Sequence, residues 1–174
     1  METVQIAEGE MLKRVARFSE IKGTRQAFVD SLLPGHEREN FRVIGQGVTE
    51  NPTDRPAIAA EHDLNVGGIR AKPGNGAALH AHKTVEIFIP FSGKWSICWG
   101  DKGEHEVILG PLDTVSVPPG VMRGFRTVGD EEAYLLTILE GRDPGRVTWS
   151  ADVLDQAKVS GVALDKKGDL PAGR

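Results

Sequence analysis

The chain has 174 residues, of which 21 are Lys or Arg and 25 are Asp or Glu, giving a net charge of −4. This length suits one domain with a substantial core. The acidic balance, without a basic stripe, argues against a nucleic-acid partner. No apolar run approaches the roughly 18 residues of a membrane span, and the acidic first ten residues do not resemble a signal peptide. Cys98 is the only cysteine, so an internal disulfide is excluded and a reducing, cytoplasmic location is expected.

Residues 1–35 are predicted to form an N-terminal arm. Apolar residues recur in it at helical spacing from Met11 to Phe18, which favours a short helix. The apolar residues that follow end at Pro34 and Gly35. The arm could pack on the outside of its own barrel or cross to a second subunit, and the sequence leaves both alternatives open.

Residues 36–140 are predicted to form a β-barrel. The charged residues 36–40 are expected to be exposed, with a first strand from Phe41 to Ile44. Further strand patterns follow, separated by glycine turns. Trp95 and Trp99 alternate with polar residues, which predicts that both face the interior. Many short antiparallel strands of this kind are typical of an all-β sandwich or barrel.

Residues 141–174 are predicted to contain a loop, a short helix and a polar tail. Ser150 is the expected N-cap of a helix from Ala151 to Val159, and Gly161 is the expected stop.

The most informative stretch lies between Gly74 and Gly93. His80 and His82 lie two residues apart, so on a strand they share a face, with Cα atoms about 6.6 Å apart. Glu86 has the same parity, but a straight strand would carry it about 13 Å beyond His82. The spacing therefore predicts a turn near residues 83–84 and a β-hairpin that brings the three side chains together.

Two histidines and one carboxylate form a ligand set used for non-haem iron, and Mn, Ni or Zn can also occupy it. The sequence thus predicts a divalent metal on His80, His82 and Glu86. Three protein ligands in an octahedral shell would leave positions open for substrate, water or oxygen. The alternative is that the histidines are ordinary residues of a strand.

The stretch from Gly74 to Gly93 resembles the first conserved motif of the cupin superfamily at every defining position. A second cupin motif, normally Gly-Asp, a strand, Pro-x-Gly and a final His, has a degenerate counterpart later in the chain. It consists of Leu112, Asp113, Pro118, Pro119, Gly120 and Arg123. Leu112 replaces the usual glycine, and Arg123 replaces the histidine that usually supplies the last ligand. The resemblance spans roughly 68–139.

The resemblance implies a jelly-roll barrel of the single-domain, type-2 cupin kind, and leaders in cupin-like proteins often join two subunits, so a homodimer is expected. Arg123 cannot ligate a metal, because a guanidinium has no lone pair to give. It could replace the metal by pairing with Glu86, hold a substrate anion beside the metal, or point out of the barrel. Phe125, Phe88 and Trp95 are candidates for the substrate pocket, although such aromatic residues are more often part of a core.

Three functions follow from the resemblance and this ligand set. The first is a metal-dependent enzyme of the dioxygenase type, which oxidises a small organic anion. The second is a metal-dependent lyase or isomerase that needs no oxygen, and the third is a protein that binds a small acid without catalysis. The sequence assigns no catalytic acid, base or nucleophile.

Overall fold

The computed structural model describes residues 1–60 and 62–171. Its strands are β1 (Arg38–Ile44), β2 (Leu64–Ala71), β3 (Gly76–Ala81), β4 (Glu86–Pro90), β5 (Trp95–Trp99), β6 (His105–Leu109), β7 (Val115–Val117), β8 (Arg123–Thr127), β9 (Ala133–Glu140) and β10 (Thr148–Trp149). Its α-helices are α1 (Glu8–Leu12) and α2 (Ala151–Val159), and short 3-10 segments span Phe18–Glu20 and Asp30–Leu32. The arm contains a short helix as predicted, but it spans Glu8–Leu12 and shares only Met11 and Leu12 with the predicted range.

The strands form two five-stranded antiparallel sheets. One sheet has the order β1-β2-β9-β4-β7, and the other has the order β10-β3-β8-β5-β6. The chain crosses repeatedly from one sheet to the other, which is the connectivity of a jelly roll. The predicted all-β jelly-roll fold with a short C-terminal helix is confirmed.

The predicted hairpin between the histidines and Glu86 is wrong. β3 pairs with β8 and β10, whereas β4 pairs with β7 and β9 in the opposite sheet. The chain does bend at residues 83–84, but the bend carries it between sheets. Glu86 therefore meets the histidines across the barrel interior. The spacing of the residues does not distinguish a hairpin from a crossing between the sheets, because both bring Glu86 back to the two histidines.

The inner faces of the two sheets meet in an apolar core. Phe88 and Trp95 are fully buried there, and Phe125 is nearly so. Trp99 shares the parity of Trp95, yet it is 37% exposed and lies against the exposed ring of His105. The prediction that both tryptophans face the interior is thus wrong for Trp99, because this last residue of β5 extends past the packed core.

The first strand begins earlier than predicted, at Arg38. The expected exposure of residues 36–40 is wrong for Arg38 and Asn40, which are 5% and 8% exposed. Arg38 donates to the two carboxylate oxygens of Asp30 at 2.9 Å each, so the buried charge is paired. The polar side chains at alternate positions of β1 therefore belong to the interior of the barrel.

The N-terminal arm and the C-terminal segment meet on one side of the barrel. Val29 and Leu33 of the arm form a second apolar cluster with Trp149 and with Val153 of α2. This part of the arm packs against its own barrel, as the first of the two alternatives predicts. Residues 1–15 are exposed.

The C-terminal helix has the predicted bounds. Ser150 occupies the N-cap position, but its side chain makes no capping hydrogen bond, so that predicted contact is wrong. Gly161 follows the helix with a φ of 70°. The last three residues of the predicted tail, 172–174, lie outside the described residues. Within the described part of the chain, every helix is too short or too polar to cross a bilayer.

Candidate metal centre

The two histidines and Glu86 converge at the buried wall of the barrel. The Oε2 atom of Glu86 lies 3.9 Å from Nε2 of His80 and 3.6 Å from Nε2 of His82, and all three ligand atoms lie within 4.8 Å of one another. Ligand bonds of about 2.0–2.2 Å place neighbouring ligand atoms about 3.0–3.5 Å apart. A small inward movement would bring all three onto one ion, so the donor set and its spacing fit a divalent metal.

Both imidazoles are in the neutral form that binds metals. Burial lowers the pKa of His80 well below its ordinary value, and the neighbouring His82 and Arg123 lower it further. Burial, helped by Arg123, lowers the pKa of His82 to about 3. Neutral imidazole keeps a ring-nitrogen lone pair that a proton would otherwise occupy.

The backbone fixes which nitrogen of His80 carries the proton. Its Nδ1 lies 2.7 Å from the carbonyl oxygen of Ala78, which can only accept a hydrogen bond. The proton therefore sits on Nδ1, and the lone pair on Nε2 faces Glu86. His82 lacks this support, since its buried Nδ1 has no hydrogen-bond partner among the described residues.

Arg123 is fully buried beside the centre and is held by Glu86. Its Nε and Nη2 donate to Oε2 of Glu86 at 3.0 and 2.8 Å, and its Nη1 donates to the carbonyl of Val121 at 3.0 Å. Burial raises the pKa of Glu86, while the guanidinium opposes that rise. The alternative in which Arg123 points out of the barrel is excluded, and the ion pair with Glu86 is present.

An interior cavity of about 80 Å³ reaches all three candidate ligands. Phe125 belongs to its lining. Phe88 and Trp95 do not, because they pack against Phe125 from the core side with ring centroids 5.2 and 5.9 Å away. Arg123 also lies outside the lining. Of the four predicted substrate-binding residues, only Phe125 therefore touches this cavity.

Comparison with known proteins agrees with this geometry. Residues 69–139 match the family model described as a cupin domain. The chain carries a cupin domain. It is of the type-2 kind, and the matched range corresponds to the segment that carries both motifs. The sequence matches no curated protein at a significant level.

Solved structures show the same fold at low sequence identity. A cupin 2 domain-containing protein from Halorhodospira halophila is 20% identical, covers 71% of this chain and 78% of its own, and has a TM-score of 0.54. A putative sugar phosphate isomerase from Acidithiobacillus ferrooxidans is 20% identical, covers 75% and 76%, and has a TM-score of 0.57. The polyketide cyclase RemF from Streptomyces resistomycificus is 16% identical, covers 77% and 82%, and has a TM-score of 0.56. At these sequence identities, the similarities are evidence for a shared fold and not for a shared activity.

The structure gives a physical reason for the glycines of the cupin motifs. Gly74, Gly93 and Gly120 have φ values of 80°, 67° and 76°, in the left-handed region that glycine adopts without steric cost. Leu112, which stands in place of a motif glycine, also has a positive φ of 70°. The cupin domain keeps the turn here although the residue that favours it is absent.

The second departure from the cupin motif changes the ligand set. Arg123 pairs in register with His80 across β3 and β8, so it occupies a position beside the first ligand. A histidine there would face the same centre, whereas Arg123 instead contributes a positive charge that is bound to Glu86. This cupin domain therefore offers three candidate ligands and one charged neighbour.

Sequence reasoning missed part of the wall around this centre. Trp149 of β10 pairs in register with His80, and their ring centroids lie 5.5 Å apart. Asn40 and Arg42 of β1 also line the cavity. Residues 38–40 are all polar, so no alternation marks an inward face there and the segment looks exposed. Arg42 lies in the predicted first strand, but nothing in the sequence indicates that its charged side chain faces the interior. No pattern marked Trp149, which lies outside the matched range.

Proposed function

We propose that this cupin is a metal-dependent enzyme that acts on a small organic anion, with a divalent ion on His80, His82 and Glu86. The observation that carries the proposal is the convergence of two neutral imidazoles and one carboxylate on an interior cavity. The metal would be Fe, Mn, Ni or Zn, since this mixed nitrogen and oxygen ligand set suits all four.

The residues of the chain prepare the centre for this role. The bond to Ala78 orients His80, and burial keeps both histidines unprotonated. Arg123 opposes the protonation of Glu86 that burial favours. When bound, the metal would supply Lewis acidity and, in the case of iron, redox chemistry with O₂. The apolar part of the cavity wall would limit the access of water.

The reaction class that we propose first is oxidation of the anion by O₂, as in a dioxygenase. A set of three protein ligands leaves room in an octahedral shell for both a substrate and a second small molecule, which supports this choice. A lyase or isomerase reaction would use the same centre without oxygen. The homodimer and the cytoplasmic location expected from the sequence stay predictions.

One observation favours a second candidate, a protein that binds a small acid without a metal. Arg123 places two donors on the same carboxylate oxygen that the histidines approach, which neutralises Glu86 without an ion. A buried ion pair of this kind can persist as a structural element. The two candidates differ in whether the purified protein contains metal.

The first experiment is elemental analysis of the protein purified from cells, with oxygen uptake measured in the presence of small carboxylates. We expect about one equivalent of divalent metal per chain. The variant His80→Ala should lose it, because two ligands hold a divalent ion far more weakly than three. Iron with oxygen consumption would support the dioxygenase, and zinc or nickel with turnover but no oxygen uptake would support the lyase or isomerase.

The matched control is His105→Ala, which removes an exposed histidine of β6 and should leave the metal content unchanged. Full metal content in His80→Ala would overturn the assigned ligand set. A wild-type protein that neither contains metal nor takes it up from solution would favour the acid-binding candidate.

A further inference from the structure

The cavity wall formed by β1 carries polar side chains that the metal centre does not use. Arg38, Asn40 and Arg42 lie at alternate positions of the strand and all line the cavity. Arg38 is bound to Asp30 and to the carbonyl oxygens of His36 and Gly76. Its charge is therefore neutralised by an ion pair at hydrogen-bond distance, which Arg42 lacks among the described residues.

Arg42 is a buried cation with an unused donor. It is 9% exposed, and its buried Nη2 has no hydrogen-bond partner in the part of the chain that the structure describes. Its Nη1 makes one long contact, 3.4 Å to the carbonyl of Asp54. The Asp54 side chain is near enough to raise the pKa of Arg42, but the stronger effect is burial, which lowers it. Burying a guanidinium nitrogen without a hydrogen-bond acceptor costs folding free energy, so an unsatisfied donor of this kind calls for an explanation.

Asn40 presents a second unused donor to the same cavity. It is 8% exposed, and its Nδ2 is also buried without a partner among the described residues. Two side chains two positions apart on one strand point to the same face. The side chains of this wall thus include a cation and two N–H donors without partners among the described residues, the complement of an anion with two oxygen acceptors.

We infer that Arg42 and Asn40 bind the carboxylate of a small monocarboxylic acid within this cavity. The rest of the acid would extend toward His80, His82 and Glu86, and this orientation alone rests on the proposed function. Arg123, which the sequence suggested as the anion anchor, has all three of its nitrogens engaged by Glu86 and Val121.

Charge and volume narrow the ligand class. Arg42 has no ion pair at hydrogen-bond distance among the described residues, which suits a ligand with a single negative charge, and the Asp54 carboxyl in the same lining disfavours a dianion such as phosphate. A cavity of 80 Å³ holds roughly five to eight waters at about 10–15 Å³ each. An acid the size of lactate fits that space.

The test is calorimetric titration of EDTA-treated protein with lactate and with its neutral isostere lactamide. We expect lactate to bind and lactamide to bind at least about tenfold more weakly, because only the anion pairs with Arg42. The variant Arg42→Met keeps an unbranched apolar stem but loses the guanidinium with its charge and donors, and it should bind lactate at least about tenfold more weakly than the wild type. The control Arg126→Met removes an exposed arginine of β8 and should bind lactate as the wild type does.

A thermal melt of the unliganded variants separates a binding role from a structural one. Arg42→Met should keep or raise the Tm, since it removes an unsatisfied buried charge. If the Tm of Arg42→Met falls instead, the variant Arg42→Lys distinguishes a binding role from a structural one. Lysine keeps the charge without the planar fork, so this variant should bind lactate with intermediate affinity. Equal affinity for lactate in the wild type, Arg42→Lys and Arg42→Met would overturn the inference, as would equal affinity of the wild type for lactate and lactamide.

The result can be read whether or not the metal proposal holds. The titration uses metal-free protein, so lactate binding that depends on Arg42 would stand even if elemental analysis found no metal. His105→Ala, which alters an exposed histidine outside the cavity lining, should bind lactate as the metal-free wild type does.

Discussion

Arg123 shows how one substitution changes the character of a ligand position. It lies in register with His80, yet it brings a positive charge where a third imidazole would bring a lone pair. A metal ion on Glu86 must therefore share the carboxylate with a guanidinium that already donates to Oε2 twice. The electrostatic repulsion between the ion and Arg123 should weaken metal binding.

We predict that Arg123→His strengthens metal binding. The change removes the competing charge and adds a potential ligand, so the dissociation constant for Mn(II) or Ni(II) should fall by at least about tenfold, equivalent to about 1.4 kcal/mol. Competition with a chelator of known affinity measures this. Arg126→His places the same residue on the exposed side of β8 and should leave the affinity unchanged. Weaker binding by Arg123→His would mean that Arg123 holds Glu86 in its ligating position.

At the scale of an element, the turn that precedes β7 is formed against the preference of one residue. The amide of Asp113 donates to the carbonyl of Gly110 at 3.1 Å, with Pro111 and Leu112 between them. Proline followed by a residue of positive φ is the pattern of a type II turn, which favours glycine at the second position. Leu112 adopts a φ of 70° there and is 73% exposed, so packing does not compensate for the strain.

We predict that Leu112→Gly stabilises the protein. The left-handed conformation costs leucine about 1–2 kcal/mol, while glycine loses about 0.5–1 kcal/mol through the greater freedom of the unfolded chain. The net gain should be about 0.5–1 kcal/mol in the free energy of unfolding, measured with urea. Leu112→Ala keeps a Cβ atom and should give no such gain. An equal gain from alanine would show that the exposed side chain, and not the backbone, was unfavourable.

At the scale of the whole molecule, Glu50 joins the two ends of the chain to the barrel. Its side chain accepts from the amide of Val29 at 2.6 Å and from Nε1 of Trp149 at 2.7 Å. Its backbone pairs with Ala27 of the arm and Leu170 near the C-terminus. Burial raises the pKa of Glu50 to about 7 from its ordinary value of 4.5, although both side-chain hydrogen bonds oppose the rise.

We predict that this residue makes stability depend on pH. The folded state holds the proton up to about pH 7, whereas the unfolded chain releases it near pH 4.5. As the pH rises from about 4.5 to about 7, the free energy of unfolding should therefore fall by about 3 kcal/mol. Above pH 7 the stabilisation that comes from protonated Glu50 should be absent. Urea unfolding at several pH values measures the slope.

The variant Glu50→Gln isolates this effect. It cannot titrate, so its stability should vary less with pH than that of the wild type over the same window. Burial also raises the pKa values of Asp54 and Glu86, but both residues are present in both proteins and cancel in the comparison. Glu140→Gln alters an exposed residue and should keep the wild-type slope. A wild-type slope in Glu50→Gln would contradict the assignment.

The sequence alone determined the strands whose side chains alternate in polarity and the candidate ligands that sit at fixed spacing. The bounds of α2 match the prediction, and His80, His82 and Glu86 do converge, because helix-end signals and motif spacing are local properties of the chain. The prediction that Trp99 faces the interior failed because alternating polarity shows the face of the strand on which a residue lies, but not where the packed core ends.

Only the tertiary structure decided which sheet each strand joins and what each buried charge meets. Glu86 reaches the histidines from the opposite sheet, Arg123 binds Glu86, and Nη2 of Arg42 lacks a partner among the described residues. These facts depend on contacts between residues far apart in the chain. A local sequence pattern does not specify such contacts. The same alternation of polarity fits a hairpin or a crossing between sheets, and the identity of a charged residue does not show whether its partner is water or a distant carboxylate.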